Sequence, residues 1–500
     1  MPLRALPFFI YLILFSGFLS PAQSVVVNDR CRQAYSQIIA LRFDDANKLI
    51  AEEKKENPDN LFIVYLENHI DFLTLFIDEN ESLFNRIEER EDERLDKLDK
   101  LPDSEPYKNY LKANIRLQWA VAGLKFQNYF TSALDIRRSY LLIEKNRLLF
   151  PDFEPQLITQ GVLHIIIGMV PDRYHWILSL ISMEGTVPQG ENELYNALSV
   201  VQSNAALNYL QPEILFYLGF MEMNLGLDES KKEQLMEQLT PFVNHNLMLA
   251  FLKVNMLARS ARNDDALKLL NEITQWKGYH PFYYLFYLKG EYRLRKLDRN
   301  AIEDYRRFID GFQGKNFIKD AWRKSGWCYL LQGNTEAYNK TMKKVLSTGE
   351  LNVDADKEAE KEANSGKMPN IVLLKARLLF DGGYYSKARN ILMSADTALL
   401  ASDEKTERLY RLGRVEQKSG NHDLAKAFLI KTVESGKNSR RYFAGNAALQ
   451  LGIMFEEENN FPQALKYYNL CRSLDFDEYE TSIKEKAKQG IQRIEDKKYH

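Results

Sequence analysis

The densest polar and aromatic group in the chain is His164, Asp172, Arg173, His175 and Trp176, within LITQGVLHIIIGMVPDRYHWILSLISMEGTVPQG (157–190). Imidazole, carboxylate, guanidinium and indole at one elbow could form a wedge that binds a ligand or partner. The competing reading is a packed hairpin with a polar elbow, in which His164 is a hydrogen-bonded core residue. Catalytic spacing is otherwise missing. His69, His164, His175, His245, His280, His422 and His500 form no ligand pair at helical spacing, and HExxH, GxSxG, the Walker loop and the Gly-rich dinucleotide fingerprint do not occur. Carboxylates crowd EEREDERLDKLDK (Glu88–Lys100), but they alternate with bases opposite an apolar side of Leu83, Ile87, Leu95 and Leu98. That pattern predicts a solvated helix face rather than an acidic recognition patch. Asp354 and Asp356 lack the remaining positions of a calcium loop. Cys31, Cys328 and Cys471 lie far apart without a CxxC, as apolar fillers would. The expectation is a chain that is not an enzyme and carries no cofactor and no metal.

The elements that hold these residues are helical. Five hundred residues with 45% apolar content bury more than one ordinary domain's core, and 24 Gly and 15 Pro argue against an all-β fold. A formal net charge of −2 leaves no global nucleic-acid or anionic-membrane footprint. At the N-terminus Arg4 precedes the apolar run FFIYLILF (Phe8–Phe15) and SGFLSPAQS, with small residues at cleavage spacing. This reads as a signal peptide over 1–24 and predicts export to the periplasm or cell envelope. The runs Gly161–Val170 and Trp176–Met183 are each too short to span a bilayer. They predict two buried helices, the second closed by Gly185, Pro188 and Gly190.

Self-similarity organises the rest. LQLGIMFEEENNFPQALKYYNLC carries small residues at Gly452 and Ala464, twelve apart, around a turn. The same unit recurs at Gly413, Gly420 and Ala425, and at Ala376, Gly383 and Ala388. Looser copies in phase start at Gly326, Gly290, Val254 and Gly219, and a separate copy carries Ala34, Ala46 and Pro58. Two antiparallel helices pack closely only if a small side chain on each faces the other's backbone, and one hairpin cannot bury its own apolar surface, so neighbours stack. The phase breaks at 157–190 and again at 349–370, where a solvated helical insertion is expected.

These residues resemble tetratricopeptide repeats (TPRs), most clearly Trp322, Gly326 and Tyr329 in a first helix and Ala464 and Tyr468 in a second. The resemblance is strong over 281–475, good over 30–60 and weak over 61–210. It implies an all-α, TPR-like α-solenoid, a right-handed superhelix of antiparallel helix pairs. An N-terminal helical region (25–210) with the apolar hairpin (157–190) would precede repeats over 211–480 and a capping helix or tail at 481–500. The hairpin is also similar to the TPR family related to inclusion-body clearance and lipid-droplet proteins. In TPR proteins the first helices line a binding groove. Carried over residue by residue, that implies Tyr284, Tyr287, Arg295, Arg323, Trp327, Arg377, Phe380, Tyr410, Arg414 and Lys418 as groove residues. Arginine and aromatic rings suit an extended peptide or an acidic tail. The Lys and Asn set of the chaperone-binding TPRs is not reproduced. The implied partner is therefore a protein or peptide and no nucleic acid, with an exported scaffold in envelope assembly as one role. The alternative is a membrane- or lipid-associated subunit using 157–190.

Overall fold

The computed structural model describes residues 23–170, 183–225 and 229–497, and the regular elements among them are helices. In chain order they are α1 (Asp29–Ile39), α2 (Phe43–Glu56), α3 (Phe62–Asp78), α4 (Glu81–Ile87), α5 (Arg90–Asp99), α6 (Pro106–Lys125), α7 (Tyr129–Leu149), α8 (Gln156–Gly168) and α9 (Val187–Ser203). Next come α10 (Gln211–Leu225), α11 (Glu229–Leu239), α12 (Leu247–Arg259), α13 (Asn263–Ile273), α14 (Tyr284–Arg295), α15 (Ala301–Gly311), α16 (Ile318–Leu331) and α17 (Thr335–Ser347). The chain continues with α18 (Asp354–Ser365), α19 (Ile371–Asp381), α20 (Tyr385–Met393), α21 (Ser402–Lys418), α22 (His422–Gly436), α23 (Phe443–Glu457), α24 (Phe461–Ser473) and α25 (Glu480–Asp496). Two compact units result: described residues up to Phe76 with Ser82–Ile214, and Ile77–Glu81 with Leu215 onward.

In the first unit α1 with α2, α6 with α7, and α8 with α9 pack as pairs. In the second unit the pairs run α12 with α13, α14 with α15, α16 with α17, α19 with α20, α21 with α22 and α23 with α24. Successive pairs pack on one another, and α25 closes the last by packing on both its helices. Such neighbour-on-neighbour packing is that of a TPR-like, all-α solenoid.

Apart from α8 and α9, whose connection lies mostly outside the described residues, the turn inside each pair is nearly invariant, and it explains the spacing seen in the sequence. Leu41, Ala261, Leu297, Gly333, Gly383, Gly420 and Asn459 are left-handed, with φ between 57° and 80°. Each follows the first-helix small position by seven residues. The amide after it donates to the carbonyl five residues back at 2.8–2.9 Å, the bond that ends a helix in a Schellman turn. Gln127 does the same between α6 and α7, with φ of 62° and Asn128 N–H donating to Gly123 at 2.9 Å. Ala120, Gln127 and Ser132 are thus a further copy of the unit, hidden because Gln and Ser replace the Gly and Ala of the pattern.

Two expectations need correction. Pro188 and Gly190 do not close a helix; they open α9. Thr186 caps it by accepting from Gln189 N–H at 3.2 Å, and Pro188 sits in the first turn, where no N–H is needed. Gly190 serves the crossing with α8: a Cβ there would stand 2.3 Å from the Gly161 carbonyl.

The insertion at 349–370 does contain a helix, but α18 is not simply solvated. Asp356 and Ala359 are fully buried. α16 begins after the left-handed Phe317 and has no side-chain cap of its own. Asp356 supplies one from outside, accepting from Phe317 N–H at 2.6 Å and Asp320 N–H at 2.9 Å. Glu362 then accepts from Trp327 Nε1 at 2.8 Å and the Tyr338 hydroxyl at 3.1 Å, and Glu360 pairs with Lys319 at 2.8 Å. Opposite charges among the acidic residues of α18 were legible; the basic face waiting for them was not.

Candidate functional site

The site is an open pocket of about 350 Å³ in the second unit. Helix α19 contributes Arg377, Phe380 and Asp381; α21 contributes Tyr410, Arg411 and Arg414; Asn446 comes from α23. Tyr442 and Tyr479, the residues preceding α23 and α25, complete the lining. The floor is aromatic. Tyr442 stands edge-on to Tyr410 and to Tyr479 at centroid distances of 5.8 and 5.3 Å. Above it, guanidiniums outnumber the lining carboxylate three to one.

The three arginines differ in how far the protein satisfies them. Arg411 is held by Glu407, with Nε donating at 2.7 Å. Arg377 lies over the Trp327 ring at 4.7 Å and has Asp381 only at 4.0 Å. Arg414 lies over Phe380 at 5.8 Å, and its buried Nε has no hydrogen-bond partner. A buried donor left unmade costs roughly 1–3 kcal/mol.

The groove residues read from the sequence fall into two sets. Arg377, Phe380, Tyr410 and Arg414 line the pocket, and Lys418 is exposed at the end of α21, outside the lining. The others belong to an internal network. Asp320, fully buried, accepts from the Tyr287 hydroxyl at 2.5 Å and pairs with Lys324 at 2.8 Å and with Arg323. Glu291 pairs with Lys324 and, at 3.2 Å, with Arg295. Tyr284 stacks on Tyr287 at 5.3 Å, and the Arg323 and Arg377 guanidiniums both lie over buried Trp327, at 4.8 and 4.7 Å. This set is covered because α18 docks on α16 and because the turn before α20 packs back on the turn before α13. A Cβ on Gly383 would stand 2.4 Å from the Ala261 carbonyl, and Asn263 Nδ2 donates to the Tyr384 hydroxyl at 3.1 Å. Sequence reading missed Asp381, Arg411, Tyr442, Asn446 and Tyr479. Tyr442 and Tyr479 precede their helices and so fall outside any rule of helix positions.

Of the second candidate group, Asp172, Arg173, His175 and Trp176 lie outside the described residues. His164 on α8 is buried, with Nδ1 2.6 Å from Glu193 Oε2, and Gln160 Nε2 donates to the other carboxylate oxygen at 3.0 Å. Ile158, Leu163, Ile165 and Ile167 around it are buried. The signal-peptide reading likewise falls almost wholly on residues 1–22, outside those described. Among the described residues, no three His, Cys, Asp or Glu side chains converge on a metal position, and no helix is long and apolar enough to cross a membrane. Cys31, Cys328 and Cys471 are free and buried; burial pushes their thiols up to about 11, 12 and 12, which leaves no thiolate at neutral pH.

The charged residues of 88–100 are mostly exposed, as the pattern implies, with half-buried Glu91 and buried Arg94 as the exceptions. Burial first, then repulsion from Asp135, pushes the Glu91 carboxyl up to about 8. Arg116 lies between the two carboxylates but nearer Asp135, at 2.8 Å against 3.3 Å to Glu91. A folded-state value above the ordinary 4.5 means that this group's contribution is fullest below about pH 4.5 and is lost as pH rises through about 8. Glu91→Gln should therefore stabilise the protein by ~1–3 kcal/mol at pH 9 and leave it nearly unchanged at pH values below the ordinary 4.5. Denaturant melts at the two pH values test this, and an equal effect at both would count against it.

No family model matches the chain, and no curated protein sequence does. Among solved structures, similar chains include a monomeric mutant of IFIT1 with Gppp-AAAA and a second such mutant with m7Gppp-AAAA. Each is 13% identical, over 89% of this chain and 95% of that one, at a TM-score of 0.32. That score is too low to carry a ligand from those proteins to this one.

Proposed function

We propose that this chain is a non-enzymatic helical-repeat scaffold that holds a protein partner by seating an acidic, extended segment of it between Arg377, Arg411 and Arg414. The observation that carries the reading is the pocket's lining: the three guanidiniums of Arg377, Arg411 and Arg414 against the one carboxylate of Asp381, beside the rings of Phe380, Tyr410, Tyr442 and Tyr479. Charge-assisted hydrogen bonds from arginine, with rings beside them, suit a carboxylate on a peptide. A volume of about 350 Å³ takes one or two side chains of a longer segment; it is at the small end of ligand sites, which run roughly 300–1,000 Å³. The leader-like N-terminus supports export to the periplasm or cell envelope, as in the exported bacterial TPR proteins the sequence resembles, with envelope assembly as the setting.

The test is affinity purification and crosslinking of the mature chain from its own envelope fraction, beside two charge reversals. Arg414→Glu should lower partner affinity at least ~100-fold, from charge-assisted bonds worth about 1.5–3 kcal/mol each and the repulsion that replaces them. Lys418→Glu, outside the pocket, should bind as the wild type does. Equal recovery with all three proteins, with melting temperatures unchanged, would sink the proposal.

A further inference from the structure

The charges around the arginine pocket limit what it can hold. Arg411 is already matched, since its Nε and Nη2 both donate to one oxygen of Glu407. Arg414 has the Phe380 ring beneath it at 5.8 Å and no ion-pair partner among the described residues. Asp381 lines the pocket half-exposed, and its one ion-pair partner there is Arg377, at 4.0 Å. Glu478, next to Tyr479, adds no charge, because Arg441 and Lys361 stand 3.4 and 3.6 Å from it. Three guanidiniums less the carboxylates of Asp381 and Glu407 leave one positive charge. The rest of the lining is uncharged: four aromatic rings and the amide of Asn446. That amide accepts from Gln450 Nε2 at 3.2 Å through Oδ1, which leaves Nδ2 to donate to a main-chain carbonyl.

One carboxylate therefore brings the pocket to neutrality. A second carboxylate beside it, or a phosphoryl group carrying about −1.5 to −2, would face Asp381 and Glu407 with no cation left to match it. The two protein carboxylates are not equivalent. Glu407 is needed to hold Arg411, whereas Asp381 holds nothing closely and leaves its charge to the pocket. We infer that the pocket selects a segment with one isolated Asp or Glu between apolar or aromatic neighbours, and that Asp381 is the specificity residue that turns away acidic runs and phosphorylated side chains. Rejection of the wrong ligand by a placed like charge is as much a source of specificity as attraction of the right one. The inference rests on the pocket being a peptide site, and it narrows acidic segments in general to one chemistry.

The test is fluorescence anisotropy of the full mature chain with labelled pools of short capped peptides. Their flanks are randomised among Phe, Tyr, Leu and Ser, and their centre is one Glu, one Gln, three consecutive Glu or one phosphoserine. The wild type should bind the single-Glu pool, with the Gln and phosphoserine pools each roughly tenfold weaker. Three glutamates should bind no tighter than one. Asp381→Asn adds one positive charge to the pocket and should bring phosphoserine at least level with Glu, a relative gain of roughly tenfold. Asp381 is exposed at the last position of α19, so its variant should melt as the wild type does. A merely structural role for Asp381 would not change the order of the pools. Equal or tighter binding of phosphoserine by the wild type, or tighter binding of three glutamates, would overturn the inference and leave the pocket a peptide site. So would an order of pools that Asp381→Asn leaves unchanged. If no pool binds the wild type, or if binding survives Arg414→Glu, the peptide site itself is lost and the inference with it.

Discussion

Asp320→Ala is expected to destabilise the second unit by about 3–5 kcal/mol, the usual cost of removing one partner from a buried ion cluster. The carboxylate is fully buried and holds three donors together: the Tyr287 hydroxyl, Lys324 and Arg323. Without it, Arg323 keeps only Glu362 at 4.0 Å, with its Nε already lacking a partner, and Lys324 is left to Glu291 alone. The same residue sits where α18 docks, since Asp356 accepts from the Asp320 backbone N–H. Hydrogen exchange should therefore show α14, α16 and α18 losing protection together, while α1 and α2 keep theirs. The pH dependence has a definite sign. Burial opposes the charge on Asp320, but Lys324 and Arg323 outweigh it and hold the carboxyl at about 2. A depressed value means the stabilisation is complete above the ordinary 3.8 and is lost as pH falls through about 2. The gap between wild type and Asp320→Ala should thus narrow below pH 4. A constant gap, or a loss under about 1 kcal/mol, would show that the charges are not coupled as described.

This network also shows why the groove was only half legible in the sequence. Helix positions alone put Tyr287, Arg323 and Trp327 on the same face as Arg377 and Arg414. What separates them is a long-range event. The insertion brings an acidic helix onto α16, and the turn before α20 reaches back to Asn263 through Tyr384. Neither contact leaves a periodic trace. The repeat itself was readable because its constraint is local: a left-handed residue must fall seven places after the small position for the chain to reverse. Where that residue is Gly or Asn, as at Gly420 and Asn459, the signal is plain. Where it is Leu297 or Gln127, the backbone is the same and the residue type no longer says so. That is how the pair α6 and α7 escaped notice.

The pocket illustrates the same limit from another side. Arg377, Phe380, Tyr410 and Arg414 project from helix interiors, where the 3.6-residue period places them. Tyr442 and Tyr479 stand just before helices, and Tyr479 is itself left-handed with φ of 58°. Their rings reach the pocket because of how the chain enters each helix. Periodicity does not encode that geometry.

The largest packing effect is expected at Gly452. The repeat pattern implies that the small residue on each helix faces the other's backbone, but at Gly452 the contact is with a ring. A Cβ on Gly452 would stand 2.5 Å from the Tyr468 ring, and a Cβ on Gly490 would meet the same ring at 2.5 Å from the α25 side. The ring is clamped between two glycines, and Ala464, one turn before it, is fully buried. Nor can the ring swing away, because its hydroxyl donates to Glu456 at 2.6 Å, and Arg493 holds that carboxylate at 2.8 Å. Gly452→Val must therefore either expel the ring or separate α23 from α24, at a cost of at least ~3 kcal/mol. Tyr468→Ala alone should cost about 3–5 kcal/mol by leaving a cavity. The two changes share one space, so the double variant should cost less than their sum by at least ~1 kcal/mol. Denaturant melts of the four proteins read this directly. Strict additivity would mean that glycine is not there for the ring, and that the closing pair tolerates a larger residue at its first small position.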